Sequence, residues 1–371
     1  MQPFINRLGG IALAAGLMAL PMATQTLAAE GAGESQVAKA TIMRAATPHD
    51  RLFDIEFVGS RGWSVGDFGA VLRTDDGGVN WETLAGIGDS ALLGVDFVDK
   101  QRGVVVGTMG VTFFTEDGGD TWTKSKSDYE GRSFSVDITE SGFGLAVGEF
   151  GAIIRTQDLG HSWTNITPNY EKVMGQFEEP HLYDVIVDSQ GTVFVFGEFN
   201  TILRSSDQGT TWDVLRKGDS QAVAKVEGAD DPDAIGVESL FSAHFIDDNR
   251  GWVSGQSGLI LYTGDGGNTW EKQANPSTTL LMDIWVSQEG EGVAIGMRTM
   301  VRTKDFGKSW YAVKGAPVTD RWYQALAMGE AMLHIEGQTD ESGEKTSPSM
   351  TTVSSPVYAV GVAGLIVRLD E

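Results

Sequence analysis

Six aspartates recur in one local setting. Asp76, Asp117, Asp158, Asp207, Asp265 and Asp305 each stand in the pattern S/T-x-D-x-G-x-N/S/T-W, spelled TDDGGVNW, TEDGGDTW, TQDLGHSW, SSDQGTTW, TGDGGNTW and TKDFGKSW. A carboxylate placed so accepts hydrogen bonds from turn N–H groups, the hydroxyl adds a second cap, and the glycine takes a positive φ without a Cβ clash. The tryptophan brings a large apolar area to pack against a neighbour. The chemistry of this motif is therefore structural. A second set comprises Arg73, Arg155, Arg204, Arg302 and Arg368, each one or two residues from the end of a short apolar run; two other units have Phe114 and Tyr262 at that position. In an acidic protein, five guanidinium groups at one structural position either make a ring that attracts carboxylates or pack along neighbouring elements and pair with local acids. A third set pairs an acid with an aromatic ring in the turns GDFG, GEFG and GEFN: Asp67 with Phe68, Glu149 with Phe150, Glu198 with Phe199. Exposed rings beside charge suit recognition, while the plainer alternative has each ring pack over its own turn and each acid cap it.

Other chemistry finds no support. With no Cys in the chain, a disulfide scaffold, a cysteine-ligated metal and a thiol nucleophile are all excluded. The five histidines, His49, His161, His181, His244 and His334, are scattered without HExxH-like spacing, so no metal site is expected. The acidic stretch 227–234, EGADDPDA, has carboxylates for calcium but not the alternating ligand spacing, which favours a solvated loop. Residues 340–350, DESGEKTSPSM, have the composition of a surface loop. Lys and Arg number 27 against 51 Asp and Glu, a net charge of −24, which argues against a nucleic-acid partner. No cofactor is expected.

Stepping from residues to elements, the boxes end units that all read alike. The first holds LFDIEFV, RGWSVG and AVLRT ahead of its box; the second LLGVDFV, RGVVVG and VTFFT; the third SFSVDIT, FGLAVG and AIIRT; the fourth LYDVIVD, TVFVFG and TILRS. Period-2 alternation with β-branched and aromatic residues, broken at glycines, marks antiparallel strands. A unit of about 40 or more residues built this way marks a propeller. Each unit supplies strands A, B and C, then the box hairpin, then a strand D beginning near the tryptophan, and no long helix is expected. A seventh unit has residues 322–329 as its A strand, 358–362 as B and 365–369 as C, but no box and no D strand. Residues 37–45, VAKATIMRA, have strand composition and are proposed to fill that gap, because an unpaired edge is a liability. The expected fold is an all-β, seven-bladed β-propeller of four-stranded antiparallel blades, closed by an N-terminal strand. Six blades with a stray hairpin is the alternative. The B–C turns share a face with the D–A connections, and the boxes share the other face with the A–B turns.

The amino terminus is separate from this pattern. Residues 1–29 read as a secretory signal: Arg7, an apolar run over 11–22, then Ala28 and Ala29 as a cleavage point. That run is too short to cross a bilayer core of about 30 Å, which disfavours a stable anchor. The mature domain is thus expected over 30–371, exported to a periplasmic or lumen-like compartment.

The spelling GDFGAVLRTDDGGVNW and GEFGAIIRTQDLGHSW resembles the fuller BNR or Asp-box repeat of the photosystem II stability/assembly factor family of seven-bladed propellers. The resemblance spans roughly 37–371. It implies a non-enzymatic protein-binding scaffold that grips a membrane protein or its exported segment during assembly of a membrane complex. It also implies that the arginine positions Arg73, Arg155, Arg204, Arg302 and Arg368 contribute to binding. In a host without photosynthesis the client is a different one, an envelope transporter accessory role being one alternative. An Asp-box glycoside hydrolase, sialidase- or glucanase-like, is the other alternative. It is disfavoured because no arginine-Ile-Pro motif precedes the first box, and because repeated acids such as Asp67 and Glu149 sit in similar environments, unlike an acid/base couple.

Overall fold

The computed structural model describes residues 36–370 apart from 38, 46–49, 176–178, 189, 218–237, 316–317, 319, 330–332, 337–348 and 353–355. The expected signal segment 1–29, the acidic stretch 227–234 and His49 lie outside the described residues. The strand periodicity read from the sequence is realised as seven four-stranded antiparallel blades. Their A strands are Leu52–Val58, Leu92–Phe97, Ser133–Ile138, Leu182–Val187, Leu240–Phe245, Leu281–Val286 and Tyr323–Met328. Each A strand touches the next, and that of blade 7 touches that of blade 1, so the blades close a ring around a central channel.

Closure takes the form expected. Lys39–Arg44 pairs antiparallel with Leu365–Asp370, the C strand of blade 7, with Thr41 opposite Arg368. Just upstream, Gln36–Val37 runs parallel to Tyr311–Lys314, the D strand of blade 6, so the segment straps two blades. Blade 7 carries an insertion between strands A and B that forms a hairpin, Leu333–Glu336 with Ser349–Thr352. No long helix was expected, and among the described residues the one α-helix is short, Tyr170–Met174, in the connection from blade 3 to blade 4. Its Tyr170 and Met174 are buried, and the Tyr170 hydroxyl donates to the Gly151 carbonyl at 2.7 Å.

The core is divided among the junctions between blades. Among the described residues seven apolar clusters form, one per junction. Six of them include the box tryptophan of the later blade: Trp122, Trp163, Trp212, Trp270, Trp310 and, at the closing junction, Trp81. The junction of blades 6 and 7 has none, because blade 7 has no box. Edge-to-face contacts of Trp81 with Phe57 and Trp122 with Phe97, 5.8 and 6.0 Å between centroids, show how the indole wedges against strand A.

Two glycine positions are dictated by close approach. The last residue of every B strand is glycine, and a Cβ on Gly148, for instance, would lie 1.9 Å from the Arg132 carbonyl oxygen. The same crowding accompanies a bulge at the start of every A strand, between its first and third residues. The box glycine is constrained twice over: Gly160 has φ of +81°, and a Cβ there would meet Val104 of the preceding blade at 2.2 Å.

Gly160→Ala is therefore expected to cost about 2–4 kcal/mol in a urea titration, by backbone strain and overpacking together. Deleting residues 37–45 strips the outer strand from blade 7 and is expected to lower Tm by at least about 10 °C. An unchanged melting curve would refute the strap.

Candidate functional site

Three features of the ring present polar or unusual chemistry: the box side, the opposite face, and the channel between them. On the box side each aspartate is the hub of one repeated network. Its Oδ1 accepts from the Thr or Ser hydroxyl two residues earlier at 2.8–2.9 Å and from the backbone N–H four residues later. Its Oδ2 accepts from the side chain of that later residue at 2.6–2.7 Å. These donors hold the carboxyls below the usual range; Thr211, through hydroxyl and amide, takes Asp207 down to about 2.

The five arginines lie near this side, and Arg73, Arg155 and Arg204 reach toward the next blade. Arg73 is the most engaged: its guanidinium meets Glu82, Asp120 and the Gly118 carbonyl at 2.7–3.1 Å, and its side chain is only 12% exposed. Arg155 donates to the Gln208 carbonyl at 3.2 Å, and Arg204 to the Asn268 side chain at 2.9 Å with Asp213 at 3.6 Å. Arg302 and Arg368 are likewise half-buried and engaged. Phe114, standing at the same position in blade 2, lies against His161 of the next box, with ring centroids 3.9 Å apart and planes tilted by 32°. The position thus clasps the neighbouring box in several blades, with an aromatic ring replacing the cation in blade 2.

Phe68, Phe150 and Phe199 lie at the other end of strand C, on the opposite face. The apex of every B–C turn is left-handed: Phe68, Met109, Phe150, Phe199, Ser257, Arg298 and Ala363 have φ between 52° and 62°. Phe68 and Phe150 are 71% and 63% exposed, whereas Phe199 is half-buried. Their acidic neighbours are turned inward. Asp67 pairs with Arg51 at 2.7 Å, Glu149 accepts the Arg132 N–H, and Glu198 accepts the His181 N–H and the Tyr183 hydroxyl. Met109, 76% exposed, belongs to the same arc and went unnoticed in the sequence because its turn, TMGV, lacks the acid–Phe spelling.

The channel holds a constellation that the sequence reading missed. Asp54, Asp184 and Asp283 occupy the third position of their A strands, and Glu56, Asp96 and Asp137 the fifth. All six line the channel, as does His244. Strand A is the inner edge of each sheet, and the carboxylate of one blade satisfies an edge N–H of the next. Asp54 accepts from Val95 at 2.9 Å, Asp96 from Ile138 at 2.6 Å, Asp137 from Val187 at 2.8 Å, Asp184 from Ala243 at 2.8 Å and Asp283 from Leu326 at 2.6 Å. Between blades 5 and 6 the His244 ring and the Val286 carbonyl make this link at 3.0 Å. Burial pushes Asp54 well above the ordinary carboxylate range, Asp184 to about 7 and Asp283 to about 6, and it lowers His244 to about 4. Aligning the units strand by strand would have put these acids in register. Among the described residues no group of three or more His, Cys, Asp or Glu is placed to hold a metal ion, and no helix is long and apolar enough to cross a membrane.

The two carboxylate populations act on stability in opposite directions. A box aspartate, depressed in the folded state, contributes above an unfolded pKa of about 4, and its contribution is lost as pH falls through the folded value. A channel carboxyl, raised in the folded state, contributes fully below about pH 4, and its contribution is lost as pH rises through 6 to 7. His244 opposes this by favouring pH above about 6.5, but the channel acids outnumber it. Stability is therefore expected to peak at about pH 4, and Asp184→Asn with Asp283→Asn is expected to flatten the decline from pH 5 to 8 by about 4 kcal/mol. Urea titrations across that range measure both.

The family model described as photosynthesis system II assembly factor YCF48 matches residues 85–179 and 233–331. A solved YCF48 bound to D1 peptide is similar to the chain, with a TM-score of 0.61 at 18% identity, covering 92% of this chain and 99% of that one. YCF48 from Cyanidioschyzon merolae gives 0.61 at 18% identity, covering 90% and 98%. The WD40 β-propeller domain of Doa1 gives 0.59 at 12% identity, covering 90% and 97%. At such identities these structural likenesses show the shared fold and nothing of function. No curated protein matches the sequence. The family model, by contrast, covers more than half of the residues, and on that ground the chain belongs to the photosynthesis system II assembly factor YCF48 family.

Proposed function

We propose that the protein is an exported, non-enzymatic scaffold that binds a segment of another protein and so assists assembly or stabilisation of a membrane protein complex. Family membership carries this reading, joined by the peptide held on a similar propeller, YCF48 with its D1 peptide. The disposition of the acids agrees with it: those in the boxes are locked by short hydrogen bonds, and those in the channel serve backbone amides of adjoining blades. The signal over residues 1–29 directs the chain to a periplasmic or lumen-like compartment.

Within this reading Arg155 and Arg204 are the arginines suited to a partner, because Arg155 donates to a carbonyl and Arg204 to an amide, with Asp213 only at 3.6 Å, so both are less occupied by carboxylates than Arg73. Arg73, held by acids, serves the junction. Arg302, Arg368 and the rings of Phe68, Phe150 and Phe199 complete the proposed contact set, on two faces of the ring.

Changing Arg155 and Arg204 together to Glu is expected to abolish capture of the client in a pull-down from the envelope fraction, with Tm moving by less than about 3 °C, since exposed pairs contribute about 0–1 kcal/mol each. Arg73→Glu is expected to cost considerably more stability. Turnover of sialyl or glucan substrates that disappears on changing one acid would overturn the scaffold reading.

A further inference from the structure

We propose that the B–C face over blades 1 to 5 docks an apolar segment of the partner, with one basic side chain of that segment directed into the channel mouth. This rests on the protein-binding reading above and specifies the chemistry of the bound segment.

The outer part of the surface is an apolar arc. Phe68, Met109 and Phe150 stand in three successive blades, 71%, 76% and 63% exposed, each at φ between 52° and 59°. Left-handed backbone favours glycine or asparagine, so a large side chain there costs conformational energy. Exposure of the side chain to water adds a second cost. Neither is needed to close the turn, since Ser257 and Ala363 occupy the same left-handed position in blades 5 and 7. Strain kept alongside exposed apolar surface marks a site of interaction.

The inner part is aromatic and continuous with the arc. The A-strand bulge leaves Phe134, Tyr183 and Phe241 half-buried at the second strand position, with centroids 5.5 and 5.1 Å apart in succession. His181 bridges to the rim, 5.0 Å from Phe150 and 6.2 Å from Phe134, and its Nδ1 accepts the Phe150 N–H at 2.8 Å. Bulges commonly re-aim side chains in this way beside functional sites.

The charge beneath fixes the occupant. At the third position of the A strands stand Asp54, Asp184 and Asp283 in blades 1, 4 and 6, and Ser135 and Ser242 in blades 3 and 5, whose hydroxyls donate to Asp184 and Asp283. The described lining of the channel includes no Lys or Arg. Ring faces over carboxylates attract a cation. A neutral apolar segment covering the mouth would desolvate these acids without compensation, an acidic one would repel them, and a basic side chain relieves both.

The probe is a ten-residue fluorescein-labelled peptide of Leu and Ala with one central Lys, followed by anisotropy against the full chain. The Lys peptide is expected to bind at least tenfold more tightly than the same peptide with central Glu, and more tightly at pH 8 than at pH 5. Phe68→Ser, Met109→Ser and Phe150→Ser together are expected to weaken binding at least tenfold with Tm nearly unchanged. If that triple variant loses stability, Met109→Ser alone is the reporter, with a threefold or greater loss expected. Equal affinity for the Lys and Glu peptides, or unaltered binding by the serine variants, overturns the proposal. Pull-downs separate it from the reading beneath: a triple variant that captures the client as the wild type does removes this face and leaves the scaffold standing, whereas failure of the wild type itself to capture a client removes both.

Discussion

The short hydrogen bonds around each box aspartate are the constraint on which the ring depends. They fix a turn whose two central residues are both left-handed, and that turn delivers the following tryptophan into the junction with the preceding blade. The neighbouring blade then exploits the turn. The Trp63 indole donates to the Gly118 carbonyl at 2.9 Å, and the Tyr358 hydroxyl donates to the Gly77 carbonyl at 2.5 Å. Those carbonyls point toward their donors only while the carboxylate holds the turn. A local interaction of four residues thereby sets the angle between whole sheets. The arginine clasp, where present, adds to a geometry the box has already decided.

Carboxylates appear in this protein in two physical states, and location alone separates them. On the box side they are ringed by hydroxyls and amides and stay charged far into acid. In the channel Asp54, Asp96, Asp137, Asp184 and Asp283 each take an N–H bond from strand A of the next blade, yet lie among other acids away from bulk water, which raises the cost of their charge. The inner edge of a propeller blade is an unpaired strand, and pairing its amides with a neighbour's acid both caps the edge and ties adjacent blades. The negative charge of the chain is therefore not spread evenly in its consequences: part of it is structural, and part is gathered along the axis.

Much of the fold was legible because a repeated unit exposes its own rules. The B strand Arg61–Gly66 of the first blade was read to the residue, and the need to complete blade 7 located the strap at Lys39–Arg44 from a missing strand alone. What escaped depends on contacts distant in the chain. Period-2 alternation assigns Phe53 and Asp54 to opposite faces of a flat strand, but a bulge alters the register at that point, and Asp54 lies in the channel lining. The helix Tyr170–Met174 is too short to be stable by propensity and exists because Tyr170 seats against Gly151. Arginine spacing announced a shared position, yet the partners of Arg73 and Arg204 lie 47 and 64 residues away, which no local pattern reveals.

The seam of the ring has a consequence for biosynthesis. Blade 7 takes its outer strand from Lys39–Arg44 and its third strand from Leu365–Asp370, with six whole blades between them in sequence. On a ribosome or a translocon, six units can be in place while the last sheet still waits for its final residues. Until then the circle gapes, and the early strand has no surface to lie against. The latched form therefore requires residues 365–370, and a chain interrupted before them leaves blade 7 open.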